Sequence, residues 1–221
     1  ADFETSTDKW GVDKARVWLW DLCNISNLKH KNGNSIETFL QTLINIGKNG
    51  YDNVLIAFHN LAYDGNYLLY YLLEQNYKPV ADKPRAGEFA CLITNFGQHY
   101  AYEINFGCVC KFHGDFKITV VDSYKTIHSS VHDIAEAFNL PIKKGEIDYD
   151  IVREIGHEPT QEELEYIQCD TEIVARALQL NFKQGLTKVT QPANALSEFK
   201  RLYGKEFYEI DFPNDLNDEY L

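Results

Sequence analysis

The chain contains no methionine, and none of its apolar runs is long enough to cross a membrane. The longest runs, NVLIAF and YLLYYLL, fall well short of the ~20 residues that a membrane-spanning helix needs. The first residues also lack the pattern of a secretory signal peptide. These absences predict a protein without membrane contact. Because a chain without methionine has no initiator residue, we expect a fragment or a processed chain whose first strand has lost its beginning.

Cysteines are few, odd in number and scattered along the sequence. No two of them have the C-x-x-C spacing of a zinc site, and an odd set does not form a complete disulfide framework. The sequence therefore predicts neither feature, and a reducing compartment is expected. The five residues are Cys23, Cys91, Cys108, Cys110 and Cys169.

Positive charge is also scarce, since 21 basic residues stand against 33 acidic ones and give a formal net charge of −12. A domain that binds nucleic acid through bulk electrostatics normally has a basic surface that neutralises phosphates. The composition argues against that mode of binding. If the substrate is a polyanion, metal ions or a neighbouring domain must supply the positive charge.

The first part of the sequence alternates strand and helix patterns within what we interpret as one large domain. ARVWLWDL alternates Val17 and Leu19 against Trp18 and Trp20, which predicts a strand. NSIETFLQTLINI predicts a helix that starts at Asn34. NVLIAF predicts a strand covered on both faces, and NYLLYYLLEQN predicts the next helix. This order predicts an α/β fold.

The second part begins with a β-rich region, residues 88–121, in which EFACLITN, HYAYEINF, GCVCKFH and FKITVVD predict antiparallel hairpins. SVHDIAEAFNL predicts a helix capped by Ser130, and PIKKGEIDYD predicts a loop. Thr160 and Glu163 form the pattern of a capping box that opens the last strong helix, TQEELEYIQCDTEIVARALQLN. Beyond Gly185 the pattern weakens to short helix and turn.

Asp2 and Glu4 lie one residue apart on the predicted first strand, so their side chains point to the same face. Two carboxylates in one place repel each other unless a cation or a proton lies between them. A metal-ion site is one interpretation of the D-x-E pattern. The alternative is the solvated outer face of a half-buried strand.

Two further acids have positions that suit a site. Tyr166 and Asp170 are four residues apart on the predicted last helix, so they share one face. The alternative is an ordinary surface pair. Asp64 lies in a loop between a buried strand and a helix, where α/β proteins place site residues. Its alternative is an Asx turn or a helix cap before Gly65.

Taken together, D-x-E, N-x-x-x-D and Y-x-x-x-D, in this order, resemble the three exonuclease motifs of the DEDD superfamily, with tyrosine in the third motif. The segments DFET, HNLAYDG, DSYKTI, KGEIDY and YIQCDTEIVARAL resemble the proofreading domain of protein-primed family B DNA polymerases of phages and linear plasmids. The resemblance covers residues 1–202. Residues 203–221 are then expected to form an acidic tail or a linker towards a missing polymerase domain.

The resemblance implies a ribonuclease H-like α/β fold, with a mixed central sheet flanked by helices and an inserted antiparallel hairpin region. It also implies removal of nucleotides from the three-prime end of single-stranded DNA. Tyr166 would orient the attacking water, and Lys144 would contact the scissile phosphate. Lys143 is a competing candidate, and an exposed loop lysine is the alternative for both. Two divalent ions, Mg²⁺ or Mn²⁺, would be held by Asp2, Glu4, Asp64 and Asp170.

Further residues would hold the single strand if the resemblance holds. Tyr63 offers an aromatic face on which a base can stack, and Tyr149 is expected to do likewise. Tyr124 departs from the family, which usually has leucine there, so the contacts to the penultimate base are expected to differ. We expect Trp10, Trp18 and Trp20 to pack in the core. The substrate-binding set implied by the motifs is Thr5, His59, Asn60, Tyr63, Ser123, Tyr124 and Tyr149.

The expected partners are the three-prime end of single-stranded DNA, a polymerase domain of the same natural chain and, as a further partner, the terminal protein that primes replication. A monomer is expected, in the host cytoplasm if a phage encodes it. Two alternatives stay open. One is a non-catalytic module that binds single strands or terminal protein, since an acidic surface favours a basic protein partner. The other is a free-standing DEDD nuclease acting on RNA.

Overall fold

The structure is a computed structural model that describes residues 1–6, 15–93, 99–110, 114–153 and 156–212. Trp10 and the end of the acidic tail, residues 213–221, lie outside the described residues. The strands are β1 (Asp2–Ser6), β2 (Arg16–Cys23), β3 (His30–Gly33), β4 (Asn53–Phe58), β5 (Lys78–Val80), β6 (Glu88–Ile93), β7 (His99–Gly107) and β8 (Phe116–Asp122). The helices are α1 (Ile36–Lys48), α2 (Leu61–Glu74), α3 (Val131–Ala137), α4 (Gln161–Lys183), α5 (Gln191–Tyr203) and α6 (Lys205–Asp211).

The strands form two hydrogen-bonded sheets, ordered β1-β2-β3 and β4-β8-β7-β6-β5. The larger sheet is mixed, because β4 runs parallel to β8 while β6, β7 and β8 are antiparallel neighbours. The antiparallel hairpins predicted for this region are confirmed. The strand predicted for GCVCKFH is wrong at residues 108–110, because β7 ends at Gly107, and residues 111–113 lie outside the described residues. The amino group of Ala1 donates to Ala57 O at 2.7 Å, so β1 meets β4 where the two sheets adjoin.

The core forms where helices α1 and α4 both pack against β2. Trp18 and Trp20 are 4% and 1% exposed, which confirms their predicted place in the core. Trp20 meets Phe39 of α1 edge to face, and its indole N–H donates to Thr38 Oγ1. Val17 and Leu19 are buried as well, so the alternation along β2 does not separate a core face from a solvent face.

Strand β4 is less covered than the sequence predicted. Leu55 is 58% exposed, and Val54 and Ala57 are only half-buried. The prediction of a strand covered on both faces was therefore wrong. The reason is that β4 is the edge strand of the larger sheet, where fewer neighbours cover its side chains.

Local capping fixes the helix starts. The caps of Ser130 on α3 and Thr160 on α4, including the Thr160 capping box, are confirmed. Helix α1 was wrongly predicted to start at Asn34, because Ser35 is the cap and shares a capping box with Thr38. Asp64 was wrongly predicted in a loop, because α2 already begins at Leu61 and Asp64 lies in its first turn.

Two helices follow Gly185, where the sequence showed only a weak pattern. Thr190 caps α5, and Gly204 separates α5 from α6 with a φ of 91°. Neither helix is covered well, and Leu202, Phe207 and Ile210 are 65–72% exposed. None of the helices in the described part of the chain is both long and apolar enough to cross a membrane.

Candidate active site

A cavity of about 400 Å³ opens where β1, α2 and α4 meet. It brings together side chains that are far apart in the sequence, and all six predicted catalytic residues line it. The lining residues predicted from the motifs are Asp2, Glu4, Thr5, His59, Asn60, Tyr63, Asp64, Lys144, Tyr149, Tyr166 and Asp170.

Strand β1 directs its two acids into this cavity. Phe3, between them, points the other way and packs edge to face against Phe39 and Phe58, at centroid distances of 4.8 and 4.9 Å. Because side chains alternate along a strand, this anchor turns Asp2 and Glu4 towards the cavity. Glu4 is only 7% exposed, so the alternative of a solvated strand face does not describe it.

Asp64 reaches the same cavity from the first turn of α2. Its Oδ1 accepts the backbone N–H of Phe3 at 3.2 Å, which fixes it beside β1. Asn60 begins the helix in the left-handed region, with a φ of 74°, and Asp122 Oδ1 accepts its N–H at 3.0 Å. Gly65 lets α2 approach β7, because a Cβ there would lie 2.9 Å from the Tyr102 ring.

Asp170 and Tyr166 come from α4, and both are 5% exposed. The alternative of a surface pair is therefore wrong. Lys144 Nζ donates to Asp170 Oδ2 at 2.6 Å, and its ammonium lies 5.5 Å from the centre of the Tyr166 ring. Asp170 Oδ1 is buried and has no hydrogen-bond partner among the described residues. Lys143 lies in the same loop but does not line the cavity, so Lys144 is the lysine that the fold places on an acid.

The clustered carboxylates hold protons more tightly than free ones. Burial, followed by repulsion from Asp170, raises the pKa of Asp2 to about 7. Burial and repulsion from Asp2 raise the pKa values of Glu4 and Asp64 to about 8 each. The pKa of Asp170 is raised mainly by burial, although its bond to Lys144 opposes the shift. The site thus concentrates negative charge that is stable only with protons or cations nearby.

The donor set fits divalent metal ions. Four carboxylates offer the hard oxygen ligands that Mg²⁺ and Mn²⁺ prefer, and Asp170 Oδ1 is a buried acceptor without a protein donor. In the described part of the chain, no three acidic, histidine or cysteine side chains are already arranged around one point. Lys144 neutralises Asp170 in this arrangement and occupies its Oδ2.

The predicted substrate-binding residues are distributed unevenly. Tyr63 is 49% exposed and shares a hydrogen bond with Thr5, while Tyr149 is 68% exposed and its hydroxyl lies 2.6 Å from that of Tyr166. Ser123 is 2% exposed and lies behind His59, which bonds it at 3.1 Å. Tyr124 packs against His59 with a centroid distance of 5.4 Å. Neither Ser123 nor Tyr124 lines the cavity.

Two buried polar clusters behind the site were not predicted from the sequence. Asp21 is fully buried and accepts hydrogen bonds from Thr171 Oγ1 and His30 Nδ1, which ties β2 to the α4 residue next to Asp170. Arg153 donates to Glu163 Oε1 at 3.0 Å, and its guanidinium lies 4.9 Å from the centre of the Trp18 ring. The one signal available in the sequence was the capping-box role of Glu163. That role was predicted, but the buried partner Arg153 was not.

Comparison with known proteins identifies the family. Residues 47–160 match the family model described as DNA polymerase type B, organellar and viral. The chain is 37% identical to the DNA polymerase of Bacillus phage Nf, over 97% of this chain and 36% of the relative. It is 34% identical to that of Bacillus phage phi29, over 96% and 35% respectively. The chain spans about a third of the length of these relatives.

Solved structures agree with the sequence matches. Phi29 DNA polymerase complexed with single-stranded DNA superposes with a TM-score of 0.84 and 31% identity, covering 94% of this chain and 35% of that chain. The complex of the same polymerase with primer-template DNA gives a TM-score of 0.86, covering 99% and 37% respectively. The α/β class and the ribonuclease H-like fold predicted from the motifs are confirmed.

The fold and the cavity define an α/β protein of the ribonuclease H-like class with a buried acidic site. The chain belongs to the type B DNA polymerase family of organelles and viruses. The resemblance to phage family B polymerases, predicted from five short segments, is thereby confirmed.

Proposed function

We propose that this domain is the three-prime to five-prime proofreading exonuclease of a protein-primed DNA polymerase. One observation carries the proposal. Four carboxylates from three separate elements line one cavity beside a lysine and a buried tyrosine. A scaffold gains nothing from such a cluster, because each buried carboxylate costs free energy unless a cation compensates it.

Each residue of the cavity has a task in this proposal. Divalent ions held by Asp2, Glu4, Asp64 and Asp170 would activate a water and stabilise the leaving oxygen. Tyr166 orients the water as a neutral hydroxyl, since burial raises its pKa and keeps it protonated. Lys144 neutralises Asp170 in the free enzyme and supplies positive charge to the scissile phosphate when the strand binds. The exposed ring of Tyr63 offers a stacking surface for a base.

The partners follow from the relatives. Phi29 DNA polymerase has been solved with single-stranded DNA, which supports a single strand as the substrate here. The relatives' much greater length supports a polymerase domain in the same natural chain. We further propose terminal protein as a partner and, since the relatives are phage polymerases, the host cytoplasm as the location. The exposed apolar side chains of α5 and α6, among them Phe207 and Ile210, suit contact with such a domain.

The direct test is a digestion of a five-prime-labelled deoxyribo-oligonucleotide in Mg²⁺. We expect a ladder that shortens one nucleotide at a time from the three-prime end, and no cleavage in EDTA. A ribo-oligonucleotide of the same sequence should be cut more slowly. Faster cleavage of the RNA would favour the free-standing RNA nuclease, and an inert protein that still binds the strand would favour the non-catalytic module.

Lys144 and Lys143 form a matched pair for a second test. We expect Lys144→Ala to lower the single-turnover cleavage rate by about 100-fold, because a positive charge aimed at a reacting phosphate contributes on this scale. Lys143→Ala should stay within about twofold of the unchanged protein, since that side chain is exposed and lines no part of the cavity. Single-turnover digestion of the labelled oligonucleotide measures both. Equal losses in the two variants would contradict the role given to Lys144.

A further inference from the structure

A second groove adjoins the active-site cavity, and we propose that it binds a base of the single strand upstream of the cleaved nucleotide. The proposal rests on the proposed function, because it assigns the groove to the same DNA strand. The groove has a volume of about 250 Å³. Its walls are Ile151, Val152 and Tyr149, and Trp18 contributes to its lining.

The groove and the active-site cavity adjoin. Glu4, Thr5, Tyr63 and Tyr149 line both of them, so the two spaces meet at these four side chains. A strand whose terminal nucleotide occupies the acidic cavity can therefore extend past Tyr63 and Tyr149 into the groove.

One side of the groove, formed by Ile151, Val152 and Tyr149, is apolar and exposed, whereas Glu4, Thr5, Ser6 and Arg153 add polar groups to the rest of its lining. Ile151 is 53% exposed, Val152 is 37% exposed and Tyr149 is 68% exposed. None of these three belongs to the buried clusters formed by the described residues. Three neighbouring apolar side chains are thus exposed beside an active site. The apolar face of a nucleotide base can pack against them, and its polar edge does not need to be buried.

The wall is rigid although it belongs to a loop. The Arg153 guanidinium donates to the carbonyl oxygens of Asp148 and Ile151, at 2.5 and 2.7 Å, and to Glu163 of α4. The backbone N–H of Arg153 donates to Ser6 Oγ at 3.1 Å, which joins the loop to β1. These bonds fix the loop before any strand arrives, so little conformational entropy is lost on binding.

The charges of the groove favour a base over a phosphate. Glu4 is the sole carboxylate among its described lining residues, and Arg153 is the sole cation, with its Nε bonded to Glu163 and its Nη1 to carbonyl oxygens. A neutral base can enter while its phosphates stay towards solvent. Since aliphatic and aromatic walls accept every base, the groove lengthens the bound strand without reading its sequence.

The test uses the double variant Ile151→Ser/Val152→Ser and a matched control, Leu55→Ser, whose side chain is similarly exposed on β4. Affinity for a fluorescent deoxyribo-octamer is measured by anisotropy in EDTA, where no cleavage can occur. We expect the Kd of the double variant to rise about 10-fold, as the loss of one base-stacking subsite predicts, and that of the control to stay unchanged. An unchanged Kd in the double variant would overturn the proposal.

Kinetics in Mg²⁺ separate this proposal from the proposed function. The double variant should show a raised KM for the octamer with an unchanged kcat. Its hydrolysis of the p-nitrophenyl ester of thymidine 5′-phosphate, which is too short to reach the groove, should match that of the unchanged protein. If the unchanged protein hydrolyses neither substrate, the proposed function fails, and the anisotropy result still decides whether the groove binds the strand.

Discussion

Replacing Asp170 with asparagine is expected to lower the exonuclease rate by about 1000-fold or more, the scale of losing several kcal/mol of metal-ion stabilisation. Asp170 holds one buried oxygen without a donor among the described residues and another bonded to Lys144. Asparagine has almost the same shape, so α4 should still pack. It lacks the negative charge that a divalent ion requires, and its amide nitrogen cannot act as a ligand.

The variant is compared with Asp150→Asn, which changes an exposed acid in the loop that carries Tyr149. Single-turnover digestion of a labelled oligonucleotide gives the rates, and calorimetric titration with Mn²⁺ gives the metal affinity. Asp150→Asn should match the unchanged protein in both. If Asp170→Asn retained a rate within about tenfold of the unchanged protein, the four-carboxylate site would be wrong, because each acid is required to hold the ions.

Local spacing in the sequence was enough to predict which side chains of the site share one face of a strand or helix. Asp2 and Glu4 follow the period of a strand, and Tyr166 and Asp170 follow that of a helix, so both pairs could be predicted from backbone geometry alone. The convergence of the two pairs with Asp64 and Lys144 could not. It depends on how β1, α2 and α4 pack, and only the resemblance to a known family suggested it.

The sequence could not reveal hydrogen bonds between residues that are far apart along the chain. Asp21 meets Thr171 across 150 residues, and Arg153 reaches Ser6 across 147. No periodicity identifies such pairs, because a buried acid and an exposed acid occupy equivalent positions in a strand pattern. Short-range errors have a different origin. Asn60 adopts a left-handed conformation, and its N–H donates to Asp122. Helix α2 therefore begins at Leu61, so Asp64 lies in a helix and not in the predicted loop.

The metal-free protein is expected to lose stability as the pH rises from 6.5 to 8.5. In the unfolded chain these carboxyls titrate near pH 4, whereas in the folded chain the pKa of Asp2 is about 7 and those of Glu4 and Asp64 are about 8. Between about pH 4 and pH 8 the folded state therefore binds more protons than the unfolded state. The stability that comes from these bound protons is lost as the pH rises through 7 to 8. Linkage predicts a loss of at least about 2 kcal/mol in the free energy of unfolding.

Urea denaturation in EDTA at the two pH values measures this loss, and Glu4→Gln should reduce it because glutamine does not titrate. Glu146→Gln, which changes an exposed acid near the site, should leave the pH dependence unchanged. Adding Mg²⁺ should restore stability more at pH 8.5 than at pH 6.5, since metal ions and protons compete for the same oxygens. A metal-free protein whose stability is equal at both pH values would show that the acids do not repel each other in one cavity.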